Sequence, residues 1–318
     1  MRIILAGPYS EGTLEKFQNM LPDHEIIPVL TQEAYDSMNE AECIIVRILK
    51  TPEHIITNNP KLKAIIRWGV GYDSVDIEAA GKQGVMVANT PGTNAFAVAE
   101  LALGMMIMLS RRISLYVESV KKRNWDRSAY ASQAVSLNHK TVGIIGGGNI
   151  GRSAAKLVQS FGAHVLYYDI FRLSPKGEEY YNMTYAALED LLTRSDIVSL
   201  HIPLSDSTKH ILGSRELGLM KPTALVINTS RGGLIDEEAL LEAVQSKKLA
   251  GAGLDCVEDE ASGITAKLLS QSNVLITPHI GGSTADLADE MIPAIAEKIV
   301  SLKENKTMTN IVNIEFLI

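Results

Sequence analysis

The sequence predicts an α/β protein of two domains, and three observations carry that expectation. The chain has 318 residues, about two domains' worth at roughly 150 residues each. Short β-branched runs alternate with longer amphipathic stretches, the pattern left by parallel sheets with crossover helices. Near the middle, a glycine-rich turn stands between one such run and a helical pattern.

In the first hundred residues the expected strands are Arg2 to Ala6, Cys43 to Val46, Ala64 to Arg67 and Val85 to Ala88, a small open sheet. From Asn94 to Arg112 runs a helical pattern that is apolar on nearly every face. Such a helix is buried, between domains or between subunits. A second series of strands follows: Thr141 to Ile145, Val165 to Tyr168, Ile197 to Leu200, Ala224 to Asn228, Gly251 to Leu254 and Val274 to Ile276. Six strands complete a dinucleotide-binding sheet. The helix expected from Thr284 to about Leu302, and the segment Asn310 to Ile314, lie beyond that sheet and are expected to return to the first one. The expected domains are therefore 1–95 with 285–318, and 96–284 inserted between them.

Composition narrows the partners. Hydrophobic residues make up 46% and charged residues 21%, ordinary globular usage. The net charge of −7 offers no general attraction to nucleic acid or anionic membrane. The longest uncharged apolar run, Leu101 to Leu109, is about half of what a bilayer requires. The N-terminus has no secretory pattern, so the cytoplasm is the expected compartment. Two cysteines, Cys43 and Cys256, are too few for a disulfide framework or a zinc cluster, and no metal is expected.

In TVGIIGGGNIG the strand Thr141 to Ile145 runs into Gly146-x-Gly148-x-x-Gly151 and then directly into a helical pattern. Glycines in this context permit a tight turn, close approach of the backbone to a pyrophosphate and close packing of helix on strand, while the helix N-terminus attracts the anion. The next apolar run ends in Asp169, eighteen residues after Gly151, where a carboxylate accepts hydrogen bonds from ribose hydroxyls. Its charge opposes a 2′-phosphate, so NAD is expected over NADP; Arg172, three residues on, is expected to be solvated. The expected fold is a Rossmann dinucleotide-binding domain inserted in a second, flavodoxin-like α/β domain.

Three later loops, VINTSRGG, LDCVEDE and ITPHIGG, each follow an expected strand, where open α/β sheets bind their ligands. They carry Arg231, then Asp255 and Glu260, then His279. A guanidinium holds a carboxylate by a two-point fork, an imidazole passes the proton that accompanies hydride transfer, and a carboxylate beside it favours the imidazolium.

With these motifs the chain resembles the D-isomer-specific 2-hydroxyacid dehydrogenase family over essentially its whole length. The resemblance implies a substrate-binding Arg231, an acid/base His279 and an acidic partner Glu260. It also implies an NAD site at Asn149, Ile150, Asp169, Ile202, Thr229, Ser230, Asp255, Gly281 and Gly282, and a substrate-carboxylate loop at Val70 and Gly71 in RWGVGYDSVD. Within the family the chain looks most like the phosphoglycerate dehydrogenases. Arg47 and Arg67 match positions that gather positive charge for the substrate phosphate, and Asn94 matches a substrate-loop residue; either arginine could instead serve a carboxylate within its own domain.

Three departures stand out. Trp68 replaces a residue that is commonly small, implying a narrower or aromatic-walled pocket. Ala261 replaces the proline that usually follows the catalytic carboxylate, and Ala261 to Ser270 reads as short and irregular. No C-terminal regulatory domain is expected, and hence no feedback through one. The expected activity is NAD-dependent interconversion of a small anionic D-2-hydroxy acid and its keto acid, with 3-phosphoglycerate and phosphohydroxypyruvate leading and a glyoxylate or hydroxypyruvate reductase as the alternative. A dinucleotide-sensing interaction protein of the same fold, acting without turnover, is the rival from another class; a formate dehydrogenase would need an N-terminal extension. A homodimer formed through the helix Phe96 to Arg112 is expected.

Overall fold

Runs of Ile, Val and Leu too apolar for a one-sided sheet form the strands of two parallel sheets, each covered by helices on both faces. The computed structural model describes residues 1–317; Ile318, the end of the expected range 285–318, lies outside them. The chain divides into two compact units, Met1–Asn94 with the chain from Thr284 onward, and Ala95–Ser283.

The first unit contains, in order, β1 (Arg2–Ala6), α1 (Thr13–Met20), β2 (Glu25–Val29), α2 (Gln32–Asp36), β3 (Cys43–Val46), α3 (Glu53–Thr57), β4 (Ala64–Arg67), α4 (Ile77–Lys82) and β5 (Met86–Ala88). Its strand order, β2-β1-β3-β4-β5, is the flavodoxin-like order, with its switch point between β1 and β3. β2 was not among the expected strands. It carries Pro28, which a sheet tolerates at an edge, and β2 is an edge strand.

Alternate residues of these strands face opposite sides. Ile3, Leu5, Ile45 and Ile66 pack with Phe17 of α1 and with Leu287, Met291, Ile295 and Ile299, whereas Ile4, Ile44 and Ile65 pack with Tyr35, Ile55 and Ala80. Trp68 is 8% exposed and meets Tyr9 and Phe17 edge-on, at centroid distances of 5.0 and 6.2 Å. It fills this core and does not wall a pocket, so the expectation of a narrowed site is corrected.

The second unit contains α5 (Ala95–Ser110), α6 (Ile113–Lys121), β6 (Thr141–Ile145), α7 (Asn149–Ser160), β7 (His164–Tyr168), α8 (Pro175–Tyr181), β8 (Thr184–Tyr185), α9 (Leu188–Arg194), β9 (Ile197–Leu200), α10 (Ser214–Leu219), β10 (Leu225–Asn228), α11 (Glu237–Gln245), β11 (Gly251–Leu254), α12 (Gly263–Leu269) and β12 (Val274–Ile276). Its seven strands run β12-β11-β10-β9-β6-β7-β8, a doubly wound sheet whose order reverses beside β6. The six expected strands are joined by β8, which is too short to leave a pattern in the sequence.

One further expectation is corrected here. The stretch after Ala261 is not irregular: Ser262 accepts a hydrogen bond from the Thr265 amide and caps α12. Much of the apolar excess of α5 is covered inside its own unit, where Val98, Ala102, Met105, Met106 and Leu109 are buried as α5 packs on α7 and on β10, β11 and β12, while Phe96 and Met108 stay exposed. Exposed apolar side chains also stand on α6 and in the segment after it, among them Val117 and Trp125.

After the second unit, the chain forms α13 (Leu287–Lys303) and a one-turn 3-10 helix, Ile314–Phe316. α13 lies on α1. The chain end is tied to β5, where Val312 donates to Val87 O at 2.8 Å and the Asn313 side chain accepts from the Val87 amide at 2.8 Å.

Candidate active site

The turn from β6 into α7 is built for a pyrophosphate. Gly146 has φ +107, and a Cβ there would lie 2.4 Å from His201 O; a Cβ at Gly151 would lie 1.9 Å from Gly146 O. Glycine is therefore the only residue that closes either contact. α7 begins at Asn149, after Gly148, with no side chain capping its first amides. Those amides and the positive end of the helix are left to an anion. The Asp169 carboxylate accepts from the Gly147 amide at 2.7 Å and from the Phe171 amide at 2.8 Å, which fixes it beside the glycine turn.

Arg172 is exposed, as expected from sequence, and is also forked onto Glu178 at 2.7 and 3.1 Å and placed over the Tyr185 ring. It is held away from the role of phosphate partner. Ile202 sits at the end of β9 against Gly146. Thr229 is buried, and its hydroxyl has no partner among the described residues. An uncapped helix start, a glycine cradle, a fixed carboxylate and an orphaned buried hydroxyl fit a dinucleotide.

The loops after β10, β11 and β12 are braced from below. Ser230 donates to Leu200 O at 2.7 Å, and Asn228 donates to Arg231 O at 2.7 Å, so the half-buried Arg231 rides on a pinned turn. Asp255, 1% exposed, accepts from the Thr277 hydroxyl at 2.5 Å and from the amides of Ile280 and Gly281 at 2.8 Å each. The His279 amide donates to Asp255 O at 2.9 Å. One carboxylate thus folds the turn Thr277 to Gly281 around itself and presents an exposed His279 at φ +54, a left-handed conformation uncommon outside glycine and worth a functional explanation. Gly282 continues this turn. Thr277, which no sequence motif singled out, is the third donor to Asp255.

Glu260 stands apart. It is exposed, and among the described residues it makes no hydrogen bond or ion pair with His279. The turn that carries it is closed by Asp259, whose side chain accepts from the Ala261 amide at 2.9 Å. A proline at that position would have no such amide.

In the first unit the expected residues form one group at the carboxyl ends of the strands. Arg67 donates to Val46 O at 3.0 Å, to Gly71 O at 2.7 Å and to Arg47 O. Arg47 donates to Pro8 O at 3.0 Å. The loop through Val70 is held by Asn89, which donates to Val70 O at 2.8 Å. Asn94 lies beside the Gly69 turn, and its Oδ1 is buried without a partner among the described residues.

A doubly wound sheet with this cradle, and with a guanidinium and an imidazole on its carboxyl-end loops, defines an α/β oxidoreductase that uses a dinucleotide. The family model described as "D-isomer specific 2-hydroxyacid dehydrogenase, NAD binding domain" matches residues 103–281. A glyoxylate reductase of Thermococcus litoralis is 36% identical over 89% of this chain and 86% of its own length. A D-3-phosphoglycerate dehydrogenase of Methanocaldococcus jannaschii is 34% identical over 98% of this chain, which spans 59% of that relative. Among solved structures, a D-lactate dehydrogenase from Aquifex aeolicus complexed with NAD and lactic acid superposes with a TM-score of 0.85 at 28% identity, covering 100% of this chain and 97% of that one. The chain belongs to the D-isomer specific 2-hydroxyacid dehydrogenase family. It is an NAD-dependent enzyme that acts on the CH–OH group of its donor.

Proposed function

We propose that the protein interconverts 3-phosphoglycerate and phosphohydroxypyruvate. When bound, NADH supplies the hydride for the keto carbon. The assignment of roles to side chains rests on the braced turn at Asp255, which fixes the backbone that carries His279. His279 gives the proton to the carbonyl oxygen during reduction and takes it back during oxidation. Arg231 holds the substrate carboxylate by its planar fork. Glu260 favours the protonated imidazole, which requires the turn at Asp259 to Ala261 to rearrange. The amides of Val70 and Gly71 find no acceptor among the described residues and are assigned to the same carboxylate; Asn94, through its orphaned oxygen, is assigned to the substrate.

Arg47 carries the choice of substrate. It stands just beyond β3, beside the switch point of the first sheet, where ligands of open α/β sheets bind. A second reading, glyoxylate or hydroxypyruvate, draws support from Arg67, whose donors reach three backbone carbonyls. Comparing phosphohydroxypyruvate with hydroxypyruvate in the native protein and in Arg47→Ala separates the two. The phosphoglycerate assignment expects a clear native preference for the phosphorylated acid, weakened by salt and lost in the variant. Equal use of both acids by the native protein makes the glyoxylate or hydroxypyruvate reductase the better assignment.

We further assign a homodimer and a cytoplasmic location. The dimer is drawn from α6 and the segment after it, where Ile113, Val117, Val120, Trp125 and Val135 line a groove of about 740 Å³. Location is drawn from the two cysteines, both buried free thiols, which fit a reducing compartment.

A further inference from the structure

Glu237 is a carboxylate that the chemistry above leaves unused, and it is 9% exposed. It opens α11, directly behind the Asp236 cap. Its Oε1 accepts the Glu258 amide at 2.7 Å. Burial pushes its pKa above the usual carboxylate value, and the Glu258 amide pulls the other way.

The same point of the chain is gripped from two other sides. A Cβ at Gly232 would lie 2.1 Å from Val257 O and 2.5 Å from Glu258 N, so the loop that carries Arg231 touches this backbone directly. The Glu258 side chain reaches His210 Nε2 at 3.3 Å and Lys209 Nζ at 3.4 Å, while the His210 amide donates to Gly233 O at 2.7 Å. Loops following β9, β10 and β11 therefore meet at Glu258, two residues before Glu260. Glu237 is the buried group among them that bonds the Glu258 backbone.

We propose that Glu237 is a positioning residue: by holding the Glu258 amide it fixes the base of the Glu260 turn against the loop that carries Arg231. This rests on the roles assigned above to Glu260 and Arg231. The turn can then rearrange only beyond Glu258, at Asp259 to Ala261, and the spacing between the two loops stays constant while it does so.

Glu237→Gln keeps an acceptor oxygen, and Glu237→Met has similar bulk without one. The expected result is a kcat for keto-acid reduction at least about tenfold lower in Glu237→Met, with KM for NADH unchanged and Glu237→Gln close to native. Hydrogen exchange at the Glu258 amide should speed up in Glu237→Met alone. On a Glu260→Gln background, Glu237→Met should lower kcat no further, because both act through one side chain. Native kcat and native Glu258 exchange in Glu237→Met overturn the proposal, as does an equal loss on the Glu260→Gln background. Should Glu237→Met not fold, Glu258→Pro removes the same hydrogen bond from its donor and is held to the kcat and KM outcomes, since a proline has no amide to exchange. The role of Glu260 is judged separately, by Glu260→Gln alone: native activity there refutes that role, and a loss in Glu237→Met that then persists refutes the positioning role as well.

Discussion

His201 illustrates how much a single side chain near the cofactor turn is constrained by its surroundings. Its Nε2 lies 2.9 Å from Ser199 Oγ, and its Nδ1 is buried without a partner among the described residues. Burial pushes the imidazole down to about 4, from 6.5. The unfolded chain therefore takes up a proton between pH 6.5 and 4 that the folded protein does not, and stability falls as the pH drops through this window, by at most about 1.4 kcal/mol per pH unit. Above pH 6.5 the contribution is fully present. In His201→Asn this slope should vanish, so the gap in denaturation midpoint between native and variant protein should narrow on acidification. A gap that stays constant from pH 7 to pH 4.5 would contradict the buried neutral imidazole. At this scale the sequence was informative where a motif has a chemical reason to exist: the glycines 146, 148 and 151 with Asp169. It was silent on Thr277 and Glu237, whose partners lie 22 and 21 residues away along the chain.

The turn from Asp259 to Ser262 shows the same boundary for a structural element. Ala261 was legible as a departure, but its consequence was not, because it depends on one hydrogen bond. With an amide at Ala261, Asp259 closes its own turn; the Ser262 amide and the Thr265 hydroxyl then reach Asp259 O at 3.1 and 2.8 Å, and α12 begins. Seven residues with a glycine, an isoleucine and a threonine at the start carry little helical signal, so the cap and the burial of Thr265 and Leu268 decide the outcome. Ala261→Pro removes the amide and also drives Glu260 toward extended backbone. Thermal unfolding should report a loss of about 1 kcal/mol, with Asp259→Ala costing a similar amount and the double variant no more than either alone. Additive losses would mean that the two residues do not share this bond.

Across the whole molecule, both sheets take the strand orders that doubly wound proteins use, and the alternation of strand and helix patterns was enough to expect that class. β2 and β8 escaped because a proline interrupts one and the other has only two residues. The apolar composition of α5 was read correctly as a sign of burial, but composition cannot say whether a helix is covered by its own sheet or by another subunit. Exposed apolar side chains also lie on α6 and beyond it, with Trp125 73% exposed. Val117→Asp with Trp125→Lys should therefore convert a dimer into a monomer in light scattering at micromolar concentration. A monomeric native protein, or a variant that remains dimeric, would remove that surface from consideration. The division of the first unit by the second also has a consequence for synthesis. Phe17, Ile45, Ile66 and Trp68 are translated early, but the helix that covers them, with Leu287, Met291, Ile295 and Ile299, follows the 189 residues from Ala95 to Ser283. At roughly 5–20 residues per second, the nascent sheet waits on the order of ten to forty seconds with one face bare, while the intervening unit already has its own strands and helices. Newly made chains should therefore depend on chaperones chiefly through their earliest part.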